Sequence, residues 1–246
     1  MQTHLKNSPR KKQRLLAVSI PLLVGLAITL PLVAQAQEVV APDKDQPASS
    51  PSQTNPQQLN ALLEEGRRLV DAGDFSDAIA LYQQAATLDR TNPEIYSGIG
   101  YLQDRQRNYS AAVAAYQQAV ALAPKNSQYQ YALGYSLANS GDNVGAAAAY
   151  RQAVQLNRKD VNAYLGLGVV LFRQGKYIEA MQADKKAISI APKFARAYEL
   201  KGAILQQQGH AKEAIAALSH ARDLYQHQGY TAGVQRAEAM LKEFRQ

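Results

Sequence analysis

The sequence predicts an all-α protein, an α-solenoid of five tandem helix-turn-helix repeats with a C-terminal capping helix. Three observations carry that prediction. Glycine recurs at Gly66, Gly100, Gly134, Gly168 and Gly202, each 34 residues after the last. Alanine keeps the same step at Ala78, Ala112, Ala146, Ala180 and Ala214, and again at Ala85, Ala119, Ala153, Ala187 and Ala221. Between these series, Gly-Asp at 73–74 and 141–142, Gly-Lys at 175–176 and Gly-His at 209–210 mark a turn in four of the five periods. A fixed period of this length is the mark of a stack of small units, each burying its apolar face only against its neighbours.

The chain opens on an address. Lys6, Arg10, Lys11, Lys12 and Arg14 are accompanied by no acid before residue 37, and they run into the uncharged apolar stretch Leu15–Val33. Ala34-Gln35-Ala36 follows. Basic region, apolar region and A-x-A site are the three parts of a secretory signal, so residues 1–36 are expected to be removed after Ala36. Pro31, just before the site, suits a peptide that presents an extended end to a protease. The alternative is a retained anchor, because residues 15–33 approach the roughly 20 apolar residues that span a bilayer. On either reading the basic end stays in the cytoplasm, and the rest is delivered to a periplasm, a lumen or the exterior.

Residues 37–58 (QEVVAPDKDQPASSPSQTNPQQ) are rich in Pro, Ser and Gln and nearly devoid of apolar residues after Val40. Such a composition cannot offset ordering entropy by burial and predicts a disordered linker.

Mapping the charge removes one class of function. The formal net charge of +7 belongs mostly to the first 36 residues; residues 37–246 hold 22 basic and 20 acidic side chains. That balance is no footprint for nucleic acid. The chain has no cysteine, which excludes disulfides, thiolate metal sites and thiol nucleophiles.

From residue 59 the units run 59–92, 93–126, 127–160, 161–194 and 195–228, with a capping helix in 229–246. Asn92-Pro93-Glu94 reads as cap, first-turn proline and first-turn acid, and Asn55-Pro56 repeats the signal for the first unit. Ile95, Ile99, Gly100 and Leu102 follow at helical spacing and mark a buried face. Glycine then stops the first helix by adopting the left-handed conformation. The second helix carries its own seam of small residues, as in Ala112, Ala115 and Ala119. In the terminal segment, Arg236, Glu238, Lys242 and Glu243 surround Val234, Ala237 and Leu241, the pattern of a solubilising cap.

These residues resemble the tetratricopeptide repeat family, whose unit has an aromatic at position 4, Leu-Gly at 7–8, Ala at 20, an aromatic at 24, Ala at 27 and often Pro at 32. The resemblance covers 59–228. Position 4 is Tyr96, Tyr164 and Tyr198, position 24 is Tyr82, Tyr116 and Tyr150, and position 32 is Pro124 and Pro192. Leu62 and Gln130 depart from the pattern at position 4, Asp184 and Leu218 at position 24, and Arg90, Arg158 and Gln226 at position 32.

The resemblance implies that first helices line a concave groove with positions 2, 5, 9 and 12. Eight of the fourteen tyrosines stand at positions 4, 17 or 24, where packing accounts for them. Tyr101, Tyr131 and Tyr135 instead fall at groove positions, and Leu165, Val169 and Phe172 continue an apolar floor in the fourth unit. Aromatics with a polar tip are what interfaces use as anchors. The Lys and Asn with which some relatives grip a terminal carboxylate have no counterpart: position 5 is Leu63, Ser97, Tyr131, Leu165 and Glu199.

No catalytic constellation is found. His220 and His227 are seven apart on one helix with no third ligand at helical spacing. Gly98-Ile-Gly100 and Gly166-Leu-Gly168 imitate half of a dinucleotide fingerprint but lie inside first helices, and Gly168–Lys176 has the wrong spacing for a phosphate loop. The sequence therefore predicts a non-enzymatic adaptor without cofactor or metal. Its expected partners are proteins or peptides outside the cytoplasm, as in the assembly of envelope or membrane complexes. A self-associating structural solenoid is the alternative.

Overall fold

The computed structural model describes residues 56–244. The expected signal or anchor at 1–36, and the linker up to residue 55, lie outside the described residues. Among the described residues the chain forms eleven helices: α1 (Pro56–Ala72), α2 (Phe75–Leu88), α3 (Pro93–Arg105), α4 (Tyr109–Leu122), α5 (Ser127–Ser140), α6 (Asn143–Leu156), α7 (Val161–Arg173), α8 (Tyr177–Ile190), α9 (Ala195–Gln207), α10 (Ala211–His227) and α11 (Thr231–Glu243). They pair as five hairpins and a terminal helix. None is long and apolar enough to cross a membrane. Residues 56–58, expected in the linker, belong instead to α1, because Pro56 is tolerated in a first turn where no intrahelical donor is needed.

Local chemistry sets the helix ends. The Asn92 side chain accepts from the Glu94 amide at 3.0 Å, and the Asp160 carboxylate accepts from the Ala163 amide at 3.0 Å. Each satisfies a donor that the first helical turn leaves open. Inside the hairpins the expected glycines do turn left-handed, Gly141 with φ of 96°. In the second unit the same place is held by Arg107, whose φ is 61°. The turn geometry thus survives where the sequence gives no glycine, at the steric cost a Cβ brings to that conformation.

All ten alanines of the two periodic series are fully buried. Their small side chains let neighbouring helices approach, and larger groups fill what remains. In four of the five units the glycine at position 8 receives the residue at position 24: a Cβ built on Gly100 would lie 2.9 Å from the Tyr116 ring, and one on Gly134 2.9 Å from Tyr150. Two of the position-24 tyrosines also reach the next unit. Tyr82 packs on Gly98 and Tyr150 on Gly166, both at position 6.

The fourth unit departs from this scheme in two coupled ways. Position 24 is Asp184, too short to fill the joint, and position 6 of the next unit is Leu200 rather than glycine or alanine. A methyl of Leu200 takes the place against Gly168, 2.8 Å from where its Cβ would stand. Asp184 is fully buried, with no hydrogen-bond partner for either carboxylate oxygen. Burial pushes its carboxyl up to about 7, with the positive charge of Lys201 pulling the other way. In the fifth unit Leu218 occupies position 24 and packs on Gly202.

First helices also touch one another, α3 with α5, α5 with α7 and α7 with α9. They therefore form the inner, concave layer of the stack. The terminal α11 buries Gly233, Ala237 and Leu241, and it does more than solubilise. Arg236 donates to both carboxylate oxygens of Glu199 on α9, at 3.1 and 3.2 Å.

Candidate peptide-binding groove

Positions 5 and 9 of α5 and α7 converge on a cleft of about 160 Å³ in the concave layer. Leu165 and Val169 form its floor, Tyr131 and Tyr135 one side, and Arg173 and Arg196 reach it from the ends of α7 and α9. The Tyr150 ring, packed between Gly134 and Gly166, closes the base. A second cleft of about 170 Å³ shares Leu165, Val169 and Arg196 with the first and adds Glu199, Ala203 and Met240 of the capping helix. The two make one continuous run along the inner face. Each takes one or two side chains rather than the 300–1,000 Å³ of an enclosed small-molecule site, so the geometry suits an extended chain.

The expected groove residues divide into three environments. Tyr131, Tyr135, Leu165 and Val169 are brought together in the first cleft. Tyr131 is half-buried, its ring centroid 5.8 Å from that of Tyr150, and burial raises its hydroxyl pKa, so it stays a neutral donor. Tyr135 is 44% exposed. Leu165 is both core and floor, packed with Val170 and Leu200 and lining the cleft.

Tyr101 is 46% exposed but lines neither cleft; its hydroxyl accepts from Arg105 Nη1 at 2.9 Å. That guanidinium also lies 5.0 Å from the Phe75 ring centroid, which fixes Tyr101 against the first hairpin. Phe172 lines neither cleft. Its ring packs 5.6 Å from Tyr177 of α8 and against the central core, because position 12 falls where the chain folds back into the second helix.

Residues beyond the predicted set complete the groove. Arg173 reads in sequence as the basic last turn of a helix, and here its Nη1 donates to the Ala138 carbonyl at 3.2 Å across the unit boundary. Arg196 stands at groove position 2, yet nothing in its neighbours singles it out. Met240 joins only through the docking of α11. Asp104, at groove position 12 of the second unit, is half-buried, and its carboxylate accepts from Ser136 Oγ at 2.9 Å. Burial pushes its carboxyl up to about 6, and that hydrogen bond opposes the shift.

Among the described residues the histidines are all exposed. His220 sits edge-on to Tyr198 with ring centroids 4.4 Å apart, and His210 lies 3.6 Å from Glu213.

Fold and groove together define a helical-repeat solenoid with an inner face open to an extended chain. The tetratricopeptide repeat model matches residues 63–127, 98–160 and 131–193, more than half of the chain, and the protein belongs to that family. A TPR repeat-containing protein of Picosynechococcus is 46% identical over 54 residues, 21% of this chain and 14% of the relative. The chain thus matches about a seventh of that relative's length. Among solved structures, MamA superposes with a TM-score of 0.66 at 26% identity, over 70% of this chain and 93% of that one. YrrB, described as a TPR protein with an unusual peptide-binding site, superposes with a TM-score of 0.63 at 22% identity, over 75% and 94%. MamA from Desulfovibrio magneticus gives 0.66 at 18% identity over 70% and 97%, and at these lower identities the likeness is one of fold.

Proposed function

We propose that the protein is an adaptor that works outside the cytoplasm and holds partner proteins or peptides in its concave groove without catalysing a reaction. The observation that carries the reading is the continuous cleft over Leu165 and Val169, flanked by Tyr131 and an exposed Tyr135. Exposed aromatics beside an apolar floor give large contact area at small entropic cost. The description of YrrB as peptide-binding, on the same fold, supports it. Delivery across the membrane rests on the basic cluster, the apolar stretch 15–33 and Ala34-Gln35-Ala36, and assembly of envelope or membrane complexes is the role we assign on that ground.

The test is crosslinking in the native envelope with a photoreactive residue at position 135, compared with one at Ile178 on α8. Partner adducts confined to position 135 support the groove. Adducts of equal yield at both positions, or recovery of the chain in the cytoplasmic fraction, count against the reading.

A further inference from the structure

We infer that the groove selects an extended peptide carrying an internal Asp or Glu next to an aliphatic residue, with Arg196 taking the carboxylate. This deepens the groove reading and rests on it. The first cleft is lined by Arg173 and Arg196 and by no acid at all. In the second the one acid is Glu199, and it is already engaged: the Tyr225 hydroxyl donates to it at 2.5 Å and Arg236 donates to both of its oxygens. Among the lining residues no acid is left to balance Arg173 and Arg196, and Asp160, whose charge acts on Tyr131, is engaged in capping α7.

The two arginines differ. Arg173 donates to the Ala138 carbonyl, a neutral acceptor that leaves its charge unpaired. Arg196 is exposed, sits where the two clefts meet, and makes no ion pair among the described residues. A guanidinium presents a planar fork of donors that fits a carboxylate in two parallel hydrogen bonds. Leu165 and Val169 line both clefts together with Arg196, so an acid bound there has apolar side chains beside it. The cleft continues past Arg196 in both directions, toward Tyr135 on one side and Met240 on the other. A chain terminus would leave half of this run empty, whereas an internal side chain lets the peptide fill it.

The test selects a phage-displayed library of random dodecapeptides, which present no free C-terminus, on the full chain. The strongest peptide is then synthesised with an amidated C-terminus, and its affinity is measured by fluorescence anisotropy. The expected result is enrichment of Asp or Glu beside Leu, Ile or Val. Arg196→Gln should weaken binding about tenfold, and the Asp→Asn peptide should lose the same factor on the wild-type chain with little further loss on the variant. Affinity should also fall as salt rises.

Selected peptides without an acid, or an acid whose removal is additive with Arg196→Gln, would overturn the inference. So would tighter, Arg196-dependent binding of an acid-free peptide with a free C-terminus. Tyr135→Ala separates the two levels of argument. If it abolishes binding while Arg196→Gln has no effect, the groove stands and the acidic preference falls. If neither matters, the groove reading falls first.

Discussion

Tyr150 and Gly166 are in contact across the joint between the third and fourth units: a Cβ on Gly166 would stand 2.5 Å from Tyr150 Cζ. The ring belongs to the core on one side and to the base of the peptide cleft on the other. Packing and recognition therefore share one side chain. Gly166→Ala should push the ring toward the cleft and destabilise the fold by about 1–3 kcal/mol, the usual cost of overpacking. Denaturant titration measures the loss, and an unchanged midpoint would show that the joint has slack the geometry does not suggest.

A gain in stability is expected at the second hairpin turn. Arg107 holds the left-handed conformation that glycine holds in the other turns, at a cost of roughly 1 kcal/mol for a side chain with a Cβ. Arg107→Gly removes that strain but increases the entropy of the unfolded chain, so the net gain should be about 0.5 kcal/mol. Arg107→Ala keeps the strain and should show no gain. A melting temperature raised by both substitutions would point to the charge of Arg107 rather than to its backbone.

Asp184 makes stability depend on pH. Its carboxyl is held at about 7 in the fold against an ordinary 3.8, so the protonated form favours the folded state. The stabilisation is complete below the unfolded value, is lost progressively as pH rises through about 7, and is absent above. At about 1.4 kcal/mol per unit the full swing is at most on the order of 4 kcal/mol. Asp184→Asn, which cannot ionise, should be more stable than the wild type at pH 8, and that advantage should shrink steadily as pH falls and vanish only below the ordinary carboxylate value of 3.8. Parallel stability-pH curves for the two chains would mean that water or movement of Lys201 relieves the buried charge.

The repeat register and four of the five hairpin turns were legible because small residues and glycines recur at fixed positions, and each has one physical use. The joint at Asp184 was legible only by half. Its missing aromatic shows in the sequence, but the compensation by Leu200 lies sixteen residues on and has meaning only once α8 and α9 are packed. The groove behaved in the same way. Tyr135, Leu165 and Val169 could be placed by counting along a helix, whereas the inward turn of Phe172 depends on Tyr177 from the following helix. Met240 depends on how α11 docks, and Arg236, expected among solubilising charges, depends on where Glu199 stands.

The sharpest test of the groove compares two tyrosines from adjacent units. Tyr135 is 44% exposed on the inner face and lines the first cleft, while Tyr116 is 5% exposed and packs on Gly100. Truncation should therefore act on different quantities. Tyr135→Ala removes an anchor that already touches solvent, so the fold should keep its melting temperature within a few degrees while partner affinity falls by about 2 kcal/mol. Tyr116→Ala leaves a cavity at a helix joint and should lower stability by roughly 3–5 kcal/mol, as buried aromatic truncations do. Its effect on binding, measured where the variant is still folded, should be small, because the ring does not reach either cleft. Thermal unfolding and partner titration of both variants decide the matter. Equal destabilisation by both would show that Tyr135 belongs to the core and that partners are held elsewhere on the solenoid.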